Sequence, residues 1–397
     1  MSMSICVYVS HVLYILLPMV RFVHTADWQL GQCRDYLDED AQTRLNESRI
    51  EAISAIGSLA VEESCSFVVV CGDVFEHNQV NRRVLSRALS AMKEARDVVF
   101  YLLPGNHDPL NASSIYYSPD FQSRPDNVYL LDSADPVEIE PGVELIGAPW
   151  PNKEPTSDLV TDACSYLSDD ALDNGRVRIV VGHGGTDTLA MGRVGSKTIS
   201  TTSLESLIGQ GRIHYVALGD RHSTTSVGNT GRIWYSGSPE PTDFRETDPG
   251  NVLIVDVDEQ IVEVTPKPVG RWSFVEEARV LTSGEDVDLL GEWLTAISDK
   301  KRAIVQLDLS GQVSVKQKAR LDEILASYCD EFAHLTEKSD WTSLVLIPDN
   351  MDEQEVGLSG YALATWNELK AEALSSNPEK ARIAKESLAI MYRIAKH

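Results

Sequence analysis

The chain has 397 residues, room for two or three domains, and with 43% hydrophobic and 24% charged residues its composition is that of an ordinary globular protein. A collagen-like, wholly disordered or disulfide-stapled chain is excluded. Sixty acidic against 35 basic residues leave a net charge of -25, so a general basic coat for nucleic acid is excluded too, and contact with a polyanion must be local or metal-assisted.

The six cysteines (Cys6, Cys33, Cys65, Cys71, Cys164, Cys329) form no CxxC pair. That fits reduced thiols in a cytoplasmic protein, and no disulfide is expected. Residues 5–20 are apolar but fall short of a membrane span and lack the charged start of a secretory signal. Residues 1–19 are therefore expected to be a dispensable extension ahead of a first strand at Val20.

From Val20 on, short Val- and Ile-rich runs alternate with helical patterns, the pattern of an α/β sheet protein. VRFVHTAD closes on Asp27, FVVVCGD on Asp73, VVFYLLPGNHD on Asn106 to Asp108, VRIVVGHGG on His183, and IHYVALGDRH on Asp220 and His222. Five expected strands thus deliver Asp, Asn or His at their carboxyl ends, where open α/β sheets bind ligands. Helices are expected near Ala41–Ser64 and Arg82–Ala95, and further strands at VELIGAP, RIWYSG and the hairpin NVLIVDVDEQIVEVTP.

The character changes near Gly270. Residues 271–348 read as a smaller α+β domain with a capping or binding role, with strands near Ala303–Leu309 and Ser343–Ile347 and helices near Asp286–Ser298 and Val315–Asp330. MDEQE at 351–355 reads as a linker inside a 349–397 tail, whose two helices, Gly360–Ser375 and Glu379–Ala395, are separated by Ser376, Asn377 and Pro378. The last helix carries Lys380, Arg382, Lys385, Arg393 and Lys396, with Ile383, Ile390, Met391 and Ile394 on one side. It is either a packed terminus or a docking element for a partner.

Asp, Asn and His are ligands suited to Mn²⁺, Fe²⁺ or Zn²⁺. Two such ions about 3.5–4 Å apart, bridged by a carboxylate, form the clamp used for in-line displacement at phosphorus. Taken together, HTADWQLG, CGDVFEHN, PGNHDP, VGHGGTD, ALGDRH and YSGSPE resemble the calcineurin-like metallophosphoesterases, and within them the SbcD-type DNA repair nucleases. The resemblance covers about Arg21 to Pro266. It implies an αββα fold, a β-sandwich flanked by helices, for residues 20–270.

Carried over by position, the resemblance puts Asp27, Asp73 and His222 on one metal ion, with Asp73 bridging to a second ion completed by Asn106 and His183. His107 becomes the phosphate-facing catalytic histidine, oriented by Asp108. Two positions depart from the family pattern: Gln29 stands where a histidine is usual, and Asp220 stands where the GHxH motif has its first histidine. Gln29 is expected to offer a weaker carbonyl ligand, and Asp220 to add a third carboxylate that favours harder ions such as Mn²⁺ or Mg²⁺.

The resemblance implies a metal-dependent DNA exonuclease, possessing some endonuclease activity, with two divalent ions, Mn²⁺ foremost. DNA and an SbcC-type coiled-coil ATPase are the implied partners, a homodimer is allowed, and no membrane partner is expected. Two alternatives stay open: a phosphatase acting on a small molecule or protein, and a degenerate scaffold protein marked by Gln29 and Asp220. His24 and His214 read as structural, Cys71 as a small buried residue, and His77 as a residue that either shapes a loop or touches substrate. Arg82, Arg83, Arg87 and Arg221 are candidates for backbone phosphates.

Overall fold

The computed structural model describes residues 19–165, 167, 175–190, 195–338, 344–347 and 358–396. The proposed extension, apart from Met19, and the MDEQE linker lie outside these residues. The described chain forms two compact units. One holds the residues up to Gln32 with Arg49–Glu240 and Glu246–Gly270; the other holds Cys33–Ser48, Pro241–Arg245 and the residues from Arg271 onward.

In chain order the strands of the first unit are β1 (Val20–Thr25), β2 (Phe67–Cys71), β3 (Val99–Leu103), β4 (Val128–Leu130), β5 (Val137–Glu140) and β6 (Val143–Gly147). They continue with β7 (Val177–His183), β8 (Tyr215–Gly219), β9 (Thr225–Val227), β10 (Ile233–Tyr235), β11 (Asn251–Val257) and β12 (Val262–Pro268). Two six-stranded sheets result, ordered β12, β11, β1, β2, β3, β4 and β5, β6, β7, β8, β10, β9. β1 to β4 run parallel, as do β6, β7, β8 and β10, while β11 pairs antiparallel with β1 and β12.

The central strands are apolar at nearly every position because both of their faces are buried. Phe22, Phe67, Val69 and Leu103 of one sheet pack on Leu145, Ile179, Val181 and Tyr215 of the other. On the opposite face of the first sheet, Val23, Val68, Val70 and Leu102 pack with Ile53 and Ile56 of the helix Glu39–Glu62 and with Leu85 and Met92 of the helix Arg82–Glu94. Ile146, Val180, Val216 and Leu218 of the second sheet pack with Val160 and Leu204 of the helices Leu159–Ser165 and Thr201–Gly209. The layers are helix, sheet, sheet, helix, and each fully buried Val, Leu or Phe contributes roughly 1.5–3 kcal/mol.

His24 ties the two sheets together. Its Nδ1 lies 3.1 Å from the Tyr215 hydroxyl and its Nε2 3.1 Å from the Leu218 carbonyl. Burial pushes its pKa down to about 3, so the ring is neutral. His214 is structural as well, with Nδ1 accepting the backbone N–H of Arg178 at 3.0 Å. Cys33, Cys65, Cys71, Cys164 and Cys329 are free thiols.

The second unit has a parallel sheet in which β14 (Ala303–Ser314) pairs with β13 (Ser273–Leu281), β15 (His334–Glu337) and β16 (Leu344–Ile347). The helices Gly284–Ala296 and Val315–Tyr328 open with capping boxes, Ser283 with Asp286 and Ser314 with Gln317. β13 escapes the sequence reading because Glu276 and Glu277 interrupt its apolar run; the strand is largely half-exposed, so it never develops a continuous hydrophobic signal.

The tail adds the helices Gly360–Glu372 and Pro378–Lys396. The last helix turns Ala381, Ala384 and Leu388 inward, whereas Ile383, Ile390 and Ile394 are exposed. The expected common apolar side is therefore split, and of its members Met391 packs on the core formed with Trp366. Among the described residues no helix is long and apolar enough to cross a membrane.

Candidate metal centre

Because β1, β2, β3, β7 and β8 all run in one direction within their sheets, the loops after them open at their carboxyl ends. Four non-glycine residues of these loops have left-handed backbone: Asp27 (φ 53°), Gln29 (45°), Asp73 (53°) and Asp220 (94°). Left-handed backbone costs an L-residue roughly 1–2 kcal/mol, so the surroundings must impose it. They do so by stitching the loops to each other. Asp27 N–H donates to the Gly72 carbonyl at 3.1 Å, Gln29 N–H to the Asp73 carbonyl at 2.9 Å, and Asp220 N–H to both carboxylate oxygens of Asp27 at 3.1 Å.

Asp27, Asp73 and His183 are buried and offer three ligand atoms lying within 4.8 Å of one another. His183 Nδ1 lies 2.8 Å from the Cys71 carbonyl, which can only accept, so the proton sits on Nδ1 and Nε2 faces the cluster. There Nε2 stands 2.7 Å from Asn106 Oδ1, 3.4 Å from Asp73 Oδ2 and 3.8 Å from Asp220 Oδ1. Four acceptor atoms converging on one point require a cation or a proton among them. This donor set fits a divalent ion with mixed nitrogen and oxygen ligands. Without the ion a second proton on His183 serves instead: burial opposes it, but Asp73, Asp27 and Asp220 raise the pKa of the ring well above 6.5.

Asp27 shows the complementary effect. Burial first, and the Asp73 and Asp220 charges after it, raise its pKa to about 7 against the pull of His222 and His183. Asp73 is equally buried, yet His183 and His107 overcome the burial and lower its pKa. At Gly72, with φ at 86°, a side-chain carbon would collide with the His183 ring, so the close approach of β2 to that ligand requires glycine.

His107 lies beside the cluster, its Nε2 4.0 Å from Asp73 Oδ2 and its backbone N–H donating to Asp73 Oδ1 at 2.9 Å. The expectation that Asp108 orients it is not met. His107 Nδ1 instead meets the Glu76 carbonyl at 2.9 Å and Glu76 Oε1 at 3.5 Å. Asp108 is fully buried and accepts from Gly105 N–H at 2.7 Å, Phe75 N–H at 3.0 Å and the Tyr116 hydroxyl at 2.6 Å. It therefore shapes the loop that carries His107. Its oxygens are already committed to donors on the far side of that loop, which is why it cannot turn to the ring.

The second departure concerns Gln29. Its carbonyl, expected to face a metal ion, accepts from Gln32 Nε2 at 2.6 Å, and its amide nitrogen lies 3.1 Å from His222 Nε2. His222 Nε2 is 4.0 Å from Asp27 Oδ1, while Nδ1 is 3.0 Å from Glu246 Oε1. Asp220 stands at the edge of the cluster with its side chain 39% exposed, where it can add the third carboxylate.

A cavity of about 650 Å³ opens beside the cluster, lined among others by Asn106, His107, Trp150, Asp220, Arg221 and Tyr235. Of the arginines considered for phosphate contacts, Arg221 lines it, whereas Arg82 pairs with Asp120 at 2.6 Å. His77 is exposed, and its Nδ1 accepts Gln79 N–H at 3.0 Å, closing a turn. Glu76, Glu246, Gln32 and Trp150 escaped the sequence reading. Trp150 Nε1 donates to the His183 carbonyl at 2.8 Å, and nothing in a lone glutamate, glutamine or tryptophan signals such roles.

A family model described as calcineurin-like phosphoesterase matches residues 20–224, more than half of the chain. The chain belongs to this family. The phosphoesterase fold and the Asp27, Asp73, His183 cluster support a metal-dependent phosphoester hydrolase. A stretch of 158 residues, 38% of the chain, is 28% identical to one component of the nuclease SbcCD of Bacillus subtilis. Another of 133 residues, 33% of the chain, is 25% identical to the DNA double-strand break repair protein Mre11 of Saccharolobus solfataricus. The phosphoesterase spans 33% of the length of each of these relatives. Among solved structures, a dimetal phosphatase from Danio rerio aligns at 14% identity and a TM-score of 0.38, covering 62% of this chain and 98% of that one. A protein of Thermus thermophilus aligns at 10% identity and a TM-score of 0.40, covering 62% of this chain and 99% of that one.

Proposed function

We propose that this phosphoesterase is a DNA phosphodiesterase, an exonuclease with some endonuclease activity, dependent on two divalent ions, with Mn²⁺ preferred. The observation that carries the reading is the convergence of Asp27, Asp73, Asn106, His183 and Asp220 at the ends of parallel strands, with His107 beside them over an open cavity. Similarity to a nuclease component and to a DNA break repair protein supports DNA as the substrate.

In this reading Asp73 is shared by the two ion positions, Asn106 and His183 belong to one of them, and Asp27 and His222 to the other. Ions held by these residues would supply positive charge against the phosphoryl oxygens and would lower the pKa of a nearby water. His107 holds the proton for the departing sugar oxygen. With Nδ1 directed at the Glu76 carbonyl, Nε2 is the nitrogen left to face substrate. Glu76 is the largest influence raising its pKa, against burial and with help from Asp73, to about 9, so the ring is charged at neutral pH and ready to donate. Arg221 faces the same cavity and suits a backbone phosphate.

Residues 271–348 are assigned to DNA contact as a cap, and the helices of the 349–397 tail to an SbcC-type coiled-coil ATPase in the cytoplasm; a homodimer is compatible with this. The exposed Ile383, Ile390 and Ile394 favour docking over a wholly packed terminus. The full chain, incubated with linear double-stranded DNA, single-stranded DNA and p-nitrophenyl phosphate esters in Mn²⁺, in Mg²⁺ or in chelator, tests the reading. DNA cleavage in Mn²⁺ that chelator abolishes is expected; hydrolysis of the small esters with DNA left intact would favour the phosphatase alternative.

A further inference from the structure

A relay of hydrogen bonds runs from the interior to the edge of the cluster, and its direction is fixed by Arg49. A guanidinium only donates, so Arg49 Nη2, 2.5 Å from Gln32 Oε1, makes that oxygen the acceptor. Gln32 must then present Nε2 to Gln29, and does so to Oε1 at 2.6 Å. Gln29 in turn presents Nε2 to His222 Nε2 at 3.1 Å, which accepts through its lone pair. The His222 proton is thereby assigned to Nδ1, where Glu246 Oε1 receives it at 3.0 Å. The relay belongs to the neutral ring.

The nitrogen lone pair that His222 would give a metal ion is the one Gln29 occupies, and the carbonyl that Gln29 would give is the one Gln32 occupies. Arg49, Gln32 and Gln29 are all buried, so breaking the chain strands an amide away from water, a penalty of about tenfold or more in any equilibrium that requires it. At the other position no such cost arises, because His183 Nε2, Asn106 Oδ1 and Asp73 Oδ2 already converge as acceptors.

We infer that Arg49 and Gln32 are positioning residues that hold Gln29 against His222, so that the centre binds one divalent ion tightly at Asp73, Asn106 and His183 and a second only weakly at Asp27 and His222. The inference rests on reading the cluster as a metal centre. It assigns Gln29 a role opposite to that of a ligand: it withholds an ion position.

Titration of the metal-stripped full chain with Mn²⁺, followed by calorimetry and by the paramagnetic resonance signal of free Mn²⁺, reads both affinities without reference to activity. The wild type is expected to bind one ion tightly and a second at least about tenfold more weakly. Gln29→Ala removes the N–H set against His222 and offers no ligand of its own, so it should tighten the second ion by about tenfold; if Gln29 is instead a ligand, the same change weakens it. Gln32→Leu should tighten it likewise, and if that variant fails to fold by circular dichroism, Gln29→Ala carries the test alone. Equal affinities in the wild type, or a second ion weakened or unmoved by Gln29→Ala, overturn the inference and leave the metal centre standing. Binding of no ion at all overturns the metal centre itself.

Discussion

Asp73 accepts the backbone N–H of His107 through Oδ1 at 2.9 Å, so one carboxylate both joins the Asp27, Asp73, His183 cluster and anchors the loop that carries His107. Asp73→Asn retains an acceptor for that N–H and removes the charge. Its circular dichroism and thermal transition should stay near those of the wild type while metal affinity falls by about 10- to 100-fold or more. Asp73→Ala should lose both metal and loop order. A calorimetric titration of the two variants separates the effects.

The charged form of His107 should set the alkaline limit of cleavage. Its folded pKa is raised from 6.5 to about 9, chiefly by Glu76, so the proton needed for the leaving group is present below that value and lost as pH rises through it. The same shift stabilises the folded state below about 6.5, and that contribution fades as pH climbs to about 9; solvent screening keeps it small because the side chain is 36% exposed. Glu76→Gln should move the alkaline limb of the rate profile to lower pH. His107→Gln should lower the cleavage rate about 10²- to 10⁴-fold with metal content unchanged. A pH–rate series on the three proteins checks both.

Metal uptake should release protons. Asp27, raised from 3.8 to about 7, is protonated in the metal-free fold at acidic pH, and His183, its pKa raised well above 6.5 by Asp73, Asp27 and Asp220 against burial, holds an extra proton as well. Apparent Mn²⁺ affinity should therefore rise steeply with pH up to about 7 and more gently above it. For Asp27 the stability sign runs opposite to that of an ion-paired carboxylate: the metal-free fold is favoured at low pH and loses stability between about 4 and 7, so metal-induced thermal stabilisation should grow over that window. Thermal scans with and without Mn²⁺ at about pH 5, 6 and 7.5 measure it.

Asp108 should prove to be a positioning residue. Asp108→Asn weakens the charge-assisted bonds from Tyr116, Gly105 and Phe75 and should cost about 1–3 kcal/mol of stability, measured by denaturant unfolding. The alkaline limb set by His107 should keep its position. A limb displaced by this substitution would restore the expected link between Asp108 and the ring.

Strands β1, β2, β3, β7 and β8 and their polar ends were legible because a buried parallel strand leaves an apolar run and each of these five runs closed on Asp, Asn or His, whereas the short β4, β5 and β9 carry no such signal. Asp27, Asp73, Asn106 and His183 are among the residues that pattern delivers, their selection as ligands is what the family resemblance implies, and the structure brings them together. The turn of Gln29 away from the metal position was not legible: it depends on Arg49 and Gln32, and only the fold brings that arginine to Gln32. The partners of His107 and His222 escaped for a similar reason, since a backbone carbonyl and a glutamate 24 residues away have no fixed spacing to read. For the last helix, spacing put Ile383, Ile390, Met391 and Ile394 on one side without saying which side the neighbours cover; small Ala381 and Ala384 face inward, and the three isoleucines are exposed.

The decisive measurement is cleavage of end-labelled linear DNA by the purified full chain in Mn²⁺, with wild type, Asp73→Asn and His107→Gln compared in one assay and metal content determined for each. The wild type should degrade the DNA, and chelator should stop it. Asp73→Asn should be inactive with metal lost, and His107→Gln should be slowed about 10²- to 10⁴-fold with metal retained. Equal cleavage by wild type and Asp73→Asn, or cleavage that survives chelation, would contradict metal-dependent DNA cleavage at this cluster.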